Sequence, residues 1–333
     1  MSEALIVEVT RGTAVESRHR AIVAVIRPDG THVEAHGDVG LAVFPRSAIK
    51  PIQSLGLIET GAADAFGCSA AEIAISAASH GGEPMHVATV TAWLNRMGLD
   101  VGDFECGAHM PTHGPSAEIL IRDREAPDAR HNNCSGKHTA MLAVCRHMGW
   151  PTKGYIERAH PLQKRIEKTY EEMLDVSLAG APTGLDGCSL PQLAVPVKAL
   201  ALGIARLACP DRLDAGRAAA CRRMADAMRA HPEMLAGTGR FCTRATIAAR
   251  GRTIMKTGAE GVYMAAVPAA GIGIALKIED GAGRAAEVAL AKLLDRYGGF
   301  ADTPRDEVDA LMHPKLTNAA GRLVGGIRPA PNW

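Results

Sequence analysis

Aromatic residues are scarce in this 333-residue chain, with five Phe, four Tyr and three Trp making up 4%. Its core must therefore be packed by Ala, Val, Leu and Ile, with Gly and Ala letting helices approach closely. Charge of one sign is also missing. The 37 basic and 36 acidic residues leave a net charge of +1, so there is no electrostatic footprint for nucleic acid or an anionic membrane. No run reaches the roughly 18 apolar residues of a membrane span. Met1-Ser2-Glu3-Ala4 opens without a basic segment followed by an apolar one. These absences predict a cytoplasmic, globular protein whose ligand is a small neutral or zwitterionic molecule, with no nucleic acid and no membrane as partner. What is plentiful is hydrophobic residue, 47%, enough for a large core. Eight cysteines in a cytoplasmic chain read as free thiols, catalytic groups or metal ligands rather than a disulfide framework.

Strand and helix patterns alternate in blocks. Leu5 to Val9, Ala21 to Arg27 and Thr31 to Ala35 read as strands, the last two joined by the turn Pro28-Asp29-Gly30. A second strand block covers Thr253 to Lys256, Val262 to Val267 and Gly271 to Ile278. Between them Ser69-Ala70-Ala71-Glu72 is a capping box, and Glu83-Pro84 opens a helix that should stop at Gly98. Further helices are expected at 137–148, 160–174, 190–208, 214–230 and, after the late strands, 284–297. The fold class is α/β in the α+β sense. Terminal strands form one mainly antiparallel sheet covered by helices, and residues 1–333 form a single domain with a helical middle lobe.

Chemistry concentrates in serine and lysine. Ser47 and Lys50 form an S-x-x-K, Ser79 sits in a Gly-rich turn, and Lys256-Thr257-Gly258 lies on a probable strand. A serine hydroxyl needs a base to remove its proton, and a neutral lysine amine in a dry pocket can serve. One S-x-x-K arises by chance about once in a chain this long. The order S-x-x-K, isolated serine, K-T-G is that of serine β-lactamases and penicillin-binding proteins. Pro51 lacks an amide hydrogen and restricts Lys50, so Ser47 to Pro51 must lie in a first helical turn. The late strand should then bring Lys256 back against Ser47.

Two cysteine clusters compete as metal sites. Cys134, in Asn132-Asn133-Cys134-Ser135-Gly136-Lys137-His138, and Cys188, in Asp186-Gly187-Cys188-Ser189, could meet as thiolates. Cys106, His109 and His113 are the other set. Pro111, Gly107, Gly114 and Pro115 make that segment a turning loop, where histidines bond to backbone or line a pocket. Cys242 has no local partner, and Gly271-Ile272-Gly273 reads as strand rather than a dinucleotide loop.

The segments Pro45–Gln53, Ser79–Glu83, Cys106–Pro111, Asn132–His138, Asp186–Pro191 and Lys256–Gly261 together resemble the Rhizobium etli-type, or class 3, L-asparaginases over nearly the whole chain. Those enzymes hydrolyse L-asparagine to L-aspartate and ammonia, have a fold similar to serine β-lactamases and glutaminases, and form homodimers. The resemblance implies catalytic tandems Ser47 with Lys50 and Ser79 with Lys256, and a zinc ion on Cys134, Lys137 and Cys188. It also implies Asp186 and His138 around metal and substrate, with Arg46 and Cys242 close by. The expected mechanism is acyl transfer: neutral Lys50 takes the Ser47 proton, Ser47 attacks the side-chain amide carbon, ammonia leaves, and water releases aspartate. A serine glutaminase or a β-lactamase-like amidase is the alternative enzyme, and a zinc-stabilised binding protein is the alternative without catalysis.

Overall fold

A computed structural model of the chain describes residues 3–331 and 333. Mixed α/β architecture with an antiparallel sheet is what it contains. The chain divides into two compact units, Met1–Ala48 with Val195–Arg212 and Arg244–Trp333, and Ile49–Ala194 with Leu213–Thr243.

The first unit is built on an eight-stranded sheet. Its order is Lys315–Thr317, Leu323–Pro329, Leu5–Arg11, Ala14–Ile26, Ile272–Ile278, Val262–Val267 and Ile254–Gly258, with His32–His36 paired to Ala14–Ile26 off this path. These pairings are antiparallel. Early and late strands join where Ala21 to Ile26 pair with Ile278 to Gly273. Ala21 to Ile26 and Ile272 to Leu276 are without polar side chains and buried, as strand segments covered on both faces must be. The helix Val197–Ala208 packs on this part of the sheet. It comes so close that a β-carbon at Gly273 would collide with Ala201 O and stand 2.5 Å from Ala205 N. Gly273 is therefore needed for close approach, not for a nucleotide loop.

The second unit is helical, and Ser135–Met148 is its central helix. Its residues Ser135 to Cys145 are buried all round, packed by helices that include Leu55–Glu59, Ala70–Ser76, Pro84–Arg96 and Pro161–Leu174. The expected capping box is present. Ser69 Oγ accepts the Glu72 amide at 3.3 Å, and Glu72 Oε2 accepts the Ser69 amide at 2.9 Å. Pro84 opens its helix, which ends at Arg96.

Three expectations need correction. The helix expected over 190–208 begins only at Val197, after short strands at Pro191–Leu193 and Val195–Pro196. Pro191 and Pro196 cannot donate to a helix and push their predecessors into extended conformation. Gly114 and Pro115 do not continue the loop, because they open a helix, Gly114–Asp123, with proline in its first turn. Ser47 lies in a 3-10 turn, Arg46–Ile49, and the α-helix that follows is the single turn Lys50–Gln53.

Candidate active site

The first unit brings the K-T-G strand against the Ser47 turn. A β-carbon at Gly258 would stand 2.7 Å from Pro45 O and 3.1 Å from Ala48 N. Only glycine lets the strand Ile254–Gly258 lie flush on the backbone that carries Ser47. Arg46 has φ +51°, a left-handed conformation that a long side chain adopts only when its surroundings fix it. Ser47 is half-buried. Lys256 is 1% exposed, and its amine donates to Thr257 O at 2.8 Å.

The second unit collects the other candidates around Lys50. Its amine, 1% exposed, donates to Ala78 O at 2.6 Å, Ser79 Oγ at 3.0 Å and Cys134 Sγ at 3.1 Å. The three contacts are a carbonyl, a hydroxyl and a sulfur, and of these the hydroxyl can also donate, so a neutral amine there could receive a proton from Ser79. Ser79 is held by its backbone, whose amide donates to Leu235 O at 3.0 Å. His80, the next residue, is fully buried. Its Nδ1 accepts the Gly82 amide at 3.1 Å, so Nε2 carries the proton and donates to Ser135 Oγ at 2.9 Å. Ser135 in turn donates to Arg130 O at 2.9 Å.

Cys134 is framed by the two residues that precede it, to which the sequence reading gave no role of their own. Asn132 Oδ1 accepts its amide at 2.9 Å, and Asn133 Oδ1 accepts its thiol at 3.0 Å. The Asn133 peptide is fixed from both sides. His109 Nε2 accepts its amide at 2.9 Å, and the His80 amide donates to its carbonyl at 3.2 Å. His109 thus bonds to backbone, as expected for that loop. Cys106, His109 and His113 do not form a metal cluster among the described residues.

Cys134, Asp186 and Cys188 do converge, with their ligand atoms within 4.8 Å of one another. Lys137 Nζ lies 3.0 Å from Cys188 Sγ. A hydrogen bond from Cys188 holds the Cys134 thiol well below the usual range; Lys137 and Lys50 assist, against burial. Cys188 is pushed up by that same bond and by burial. Burial opposes charge on Lys137, yet Cys134, Cys188 and Asp186 outweigh it and raise its pKa. Two sulfurs and a carboxylate are a donor set that suits zinc. Lys137 could join them only by giving up its proton. Of the remaining candidates, His138 is buried and bonded to Tyr155, while Cys242 is buried in the helix Phe241–Ala248.

Among solved structures, the chain is similar to Mglu in its native form, at 16% identity and TM-score 0.46, covering 84% of this chain and 64% of that one. It is also similar to a beta-lactamase from Mycobacterium bovis, at 16% identity and TM-score 0.41, covering 83% and 94%. A third is the D-alanine carboxypeptidase AmpC from Burkholderia cenocepacia, at 12% identity and TM-score 0.36, covering 78% and 87%. The chain thus spans less than two thirds of the Mglu chain. No curated protein matches it. A family model described as L-asparaginase II matches residues 7–329. With that match over nearly its whole length, the chain belongs to the L-asparaginase II family, which supports an amidohydrolase as its class of enzyme.

Proposed function

We propose that the protein hydrolyses the side-chain amide of L-asparagine to L-aspartate and ammonia through a serine acyl-enzyme. The observation that carries this reading is the Lys50 amine, buried and 3.0 Å from the Ser79 hydroxyl, in a chain of this family. Ser47, more accessible than Ser79, attacks the amide carbon, and its proton goes to neutral Lys50. The tetrahedral intermediate expels ammonia after Ser79, with Lys256 as its partner, passes a proton to the leaving nitrogen. Water then attacks the ester carbon, the bond to Ser47 breaks, and L-aspartate leaves. Arg46, His138, Asp186 and Cys242 are assigned to substrate binding.

The resident metal in this reading is zinc, held by Cys134, Lys137 and Cys188 beside Asp186. When bound, it supplies a fixed positive charge that orients the substrate. The Ser–Lys chemistry proceeds on the protein's own groups. The active species is a cytoplasmic homodimer.

A second reading makes Ser79 the nucleophile, because it is the serine that Lys50 contacts. Pure protein should release ammonia from L-asparagine with a specificity constant about tenfold to two hundredfold above that for L-glutamine, the discrimination that one methylene allows. Equal constants would favour a glutaminase. Turnover of a chromogenic β-lactam without ammonia release would replace the reading altogether.

A further inference from the structure

Glu83 is only 6% exposed, and a buried charge is costly unless it is well bonded. Both of its oxygens go to one residue from a distant segment. Oε1 accepts the Thr238 amide at 2.8 Å, and Oε2 accepts the Thr238 hydroxyl at 2.6 Å. Burial works against the charge, yet these two bonds outweigh it and hold the carboxyl below its usual range. Hydrogen bonds to a carboxylate are among the stronger kind. Thr238 itself is exposed, so this clasp closes at the surface.

The start of the helix Pro84–Arg96 grips the same segment at a second point. His86 Nδ1 accepts the Glu83 amide at 3.1 Å, so Nε2 carries the proton and donates to Glu233 O at 3.0 Å. Between the two points lies Leu235, whose carbonyl accepts the Ser79 amide at 3.0 Å. Gly237 lets the segment come this close. Its φ is +110°, and a β-carbon there would stand 2.6 Å from Glu83 Oε1 and 3.3 Å from the Gly81 nitrogen. Thr243 Oγ1 closes the far side of the loop, 2.6 Å from Gly237 O and 3.1 Å from Pro232 O.

Ser79 is thus held from two directions. Lys50 donates to Ala78 O at 2.6 Å and to Ser79 Oγ at 3.0 Å, while the Ser79 amide rests on a loop whose place is set by Glu83 and His86. We propose that Glu83 is a positioning residue for the amide hydrolysis: by clasping Thr238 it holds the loop 233–238 so that Leu235 keeps the Ser79 hydroxyl on the Lys50 amine. The inference rests on the reading of Ser79 as a group that acts in the transition state, as proton carrier or as nucleophile. In either role a loosened Ser79 slows the chemical step and leaves the binding of L-asparagine alone.

Thr238→Val tests this, because the residue is exposed and the exchange removes only the hydroxyl from the clasp. It should lower kcat for L-asparagine about threefold to tenfold, the worth of one such bond, with KM within about twofold of wild type. Thr238→Ser, which keeps the hydroxyl, should restore kcat to within about twofold. In hydrogen exchange on the full chain, the Ser79 amide should exchange faster in Thr238→Val while the helix Ser135–Met148 exchanges as in wild type. A merely structural weakness would speed both.

Wild-type kcat in Thr238→Val overturns the proposal, as does a loss that Thr238→Ser shares or exchange that quickens across the central helix as well. If wild type releases no ammonia from L-asparagine, the reading of function fails by itself and exchange alone decides. Faster exchange confined to the Ser79 segment then upholds the clasp, and unchanged exchange there overturns it.

Discussion

His80 ties the Ser79 segment to the central helix through Ser135, and it stacks on His86 with ring centroids 4.6 Å apart. Burial holds its pKa well below the usual histidine value, with His86 and Lys50 adding to the effect. Unfolded, it titrates near the ordinary value of about 6.5. Below that pH the unfolded chain takes a proton that the folded one refuses. Stability is therefore full above about pH 6.5 and falls as the pH drops, by about 1.4 kcal/mol per unit for this group. Urea midpoints at about pH 7.5, 6.5 and 5.5 should show the decline, and His80→Gln should flatten it by about one proton. An unchanged slope in the variant would rule His80 out as its source. Cys188 makes a second prediction at this scale. Cys188→Ser should lower zinc content and raise KM more than it lowers kcat, since the Ser–Lys chemistry survives. Elemental analysis and kinetics on one preparation check it, and full zinc occupancy would refute the ligand assignment.

The central helix depends on Gly136. A β-carbon there would collide with Ile75 O and stand 2.7 Å from Ile75 Cγ1. Alanine ordinarily stabilises a helix interior by about 1 kcal/mol over glycine. Here the overlap is with backbone of the helix Ala70–Ser76, which cannot swing aside, so Gly136→Ala should destabilise by about 1–3 kcal/mol. Urea unfolding decides, and a variant as stable as wild type would mean that the two helices can separate without cost. Legibility in the sequence also divides at the level of elements. Helices with cap residues, such as Ser69 and Pro84, could be read directly. The strand Ala14–Ile26 begins earlier than Ala21 because its first residues are largely exposed and polar, which hides the apolar signal. Leu323–Pro329 went unread because Gly325 and Gly326 weaken a strand pattern. Yet Gly325 is required there, since a β-carbon would collide with Thr10 O.

For the whole molecule, the joining of terminal strands in one antiparallel sheet was legible from the two strand blocks. The turn-by-turn identity of the candidate site was legible only where motifs marked it. Ser47, Lys50, Ser79, Lys256, Cys134 and Cys188 stand in recognisable local patterns. Asn132, Asn133, His109 and Tyr155 act through hydrogen bonds to residues distant or adjacent in the chain, and no spacing rule announces such partners. The pairing of Lys50 with Ser79, 29 residues away, was likewise beyond the reach of helical spacing, which places Lys50 near Ser47. Ammonia release from L-asparagine by Ser47→Ala, measured beside Ser79→Ala and wild type, tests the central claim most directly. The account predicts that folded Ser47→Ala loses activity by orders of magnitude; a folded variant keeping more than about a tenth of wild-type turnover would contradict it and make Ser79 the nucleophile.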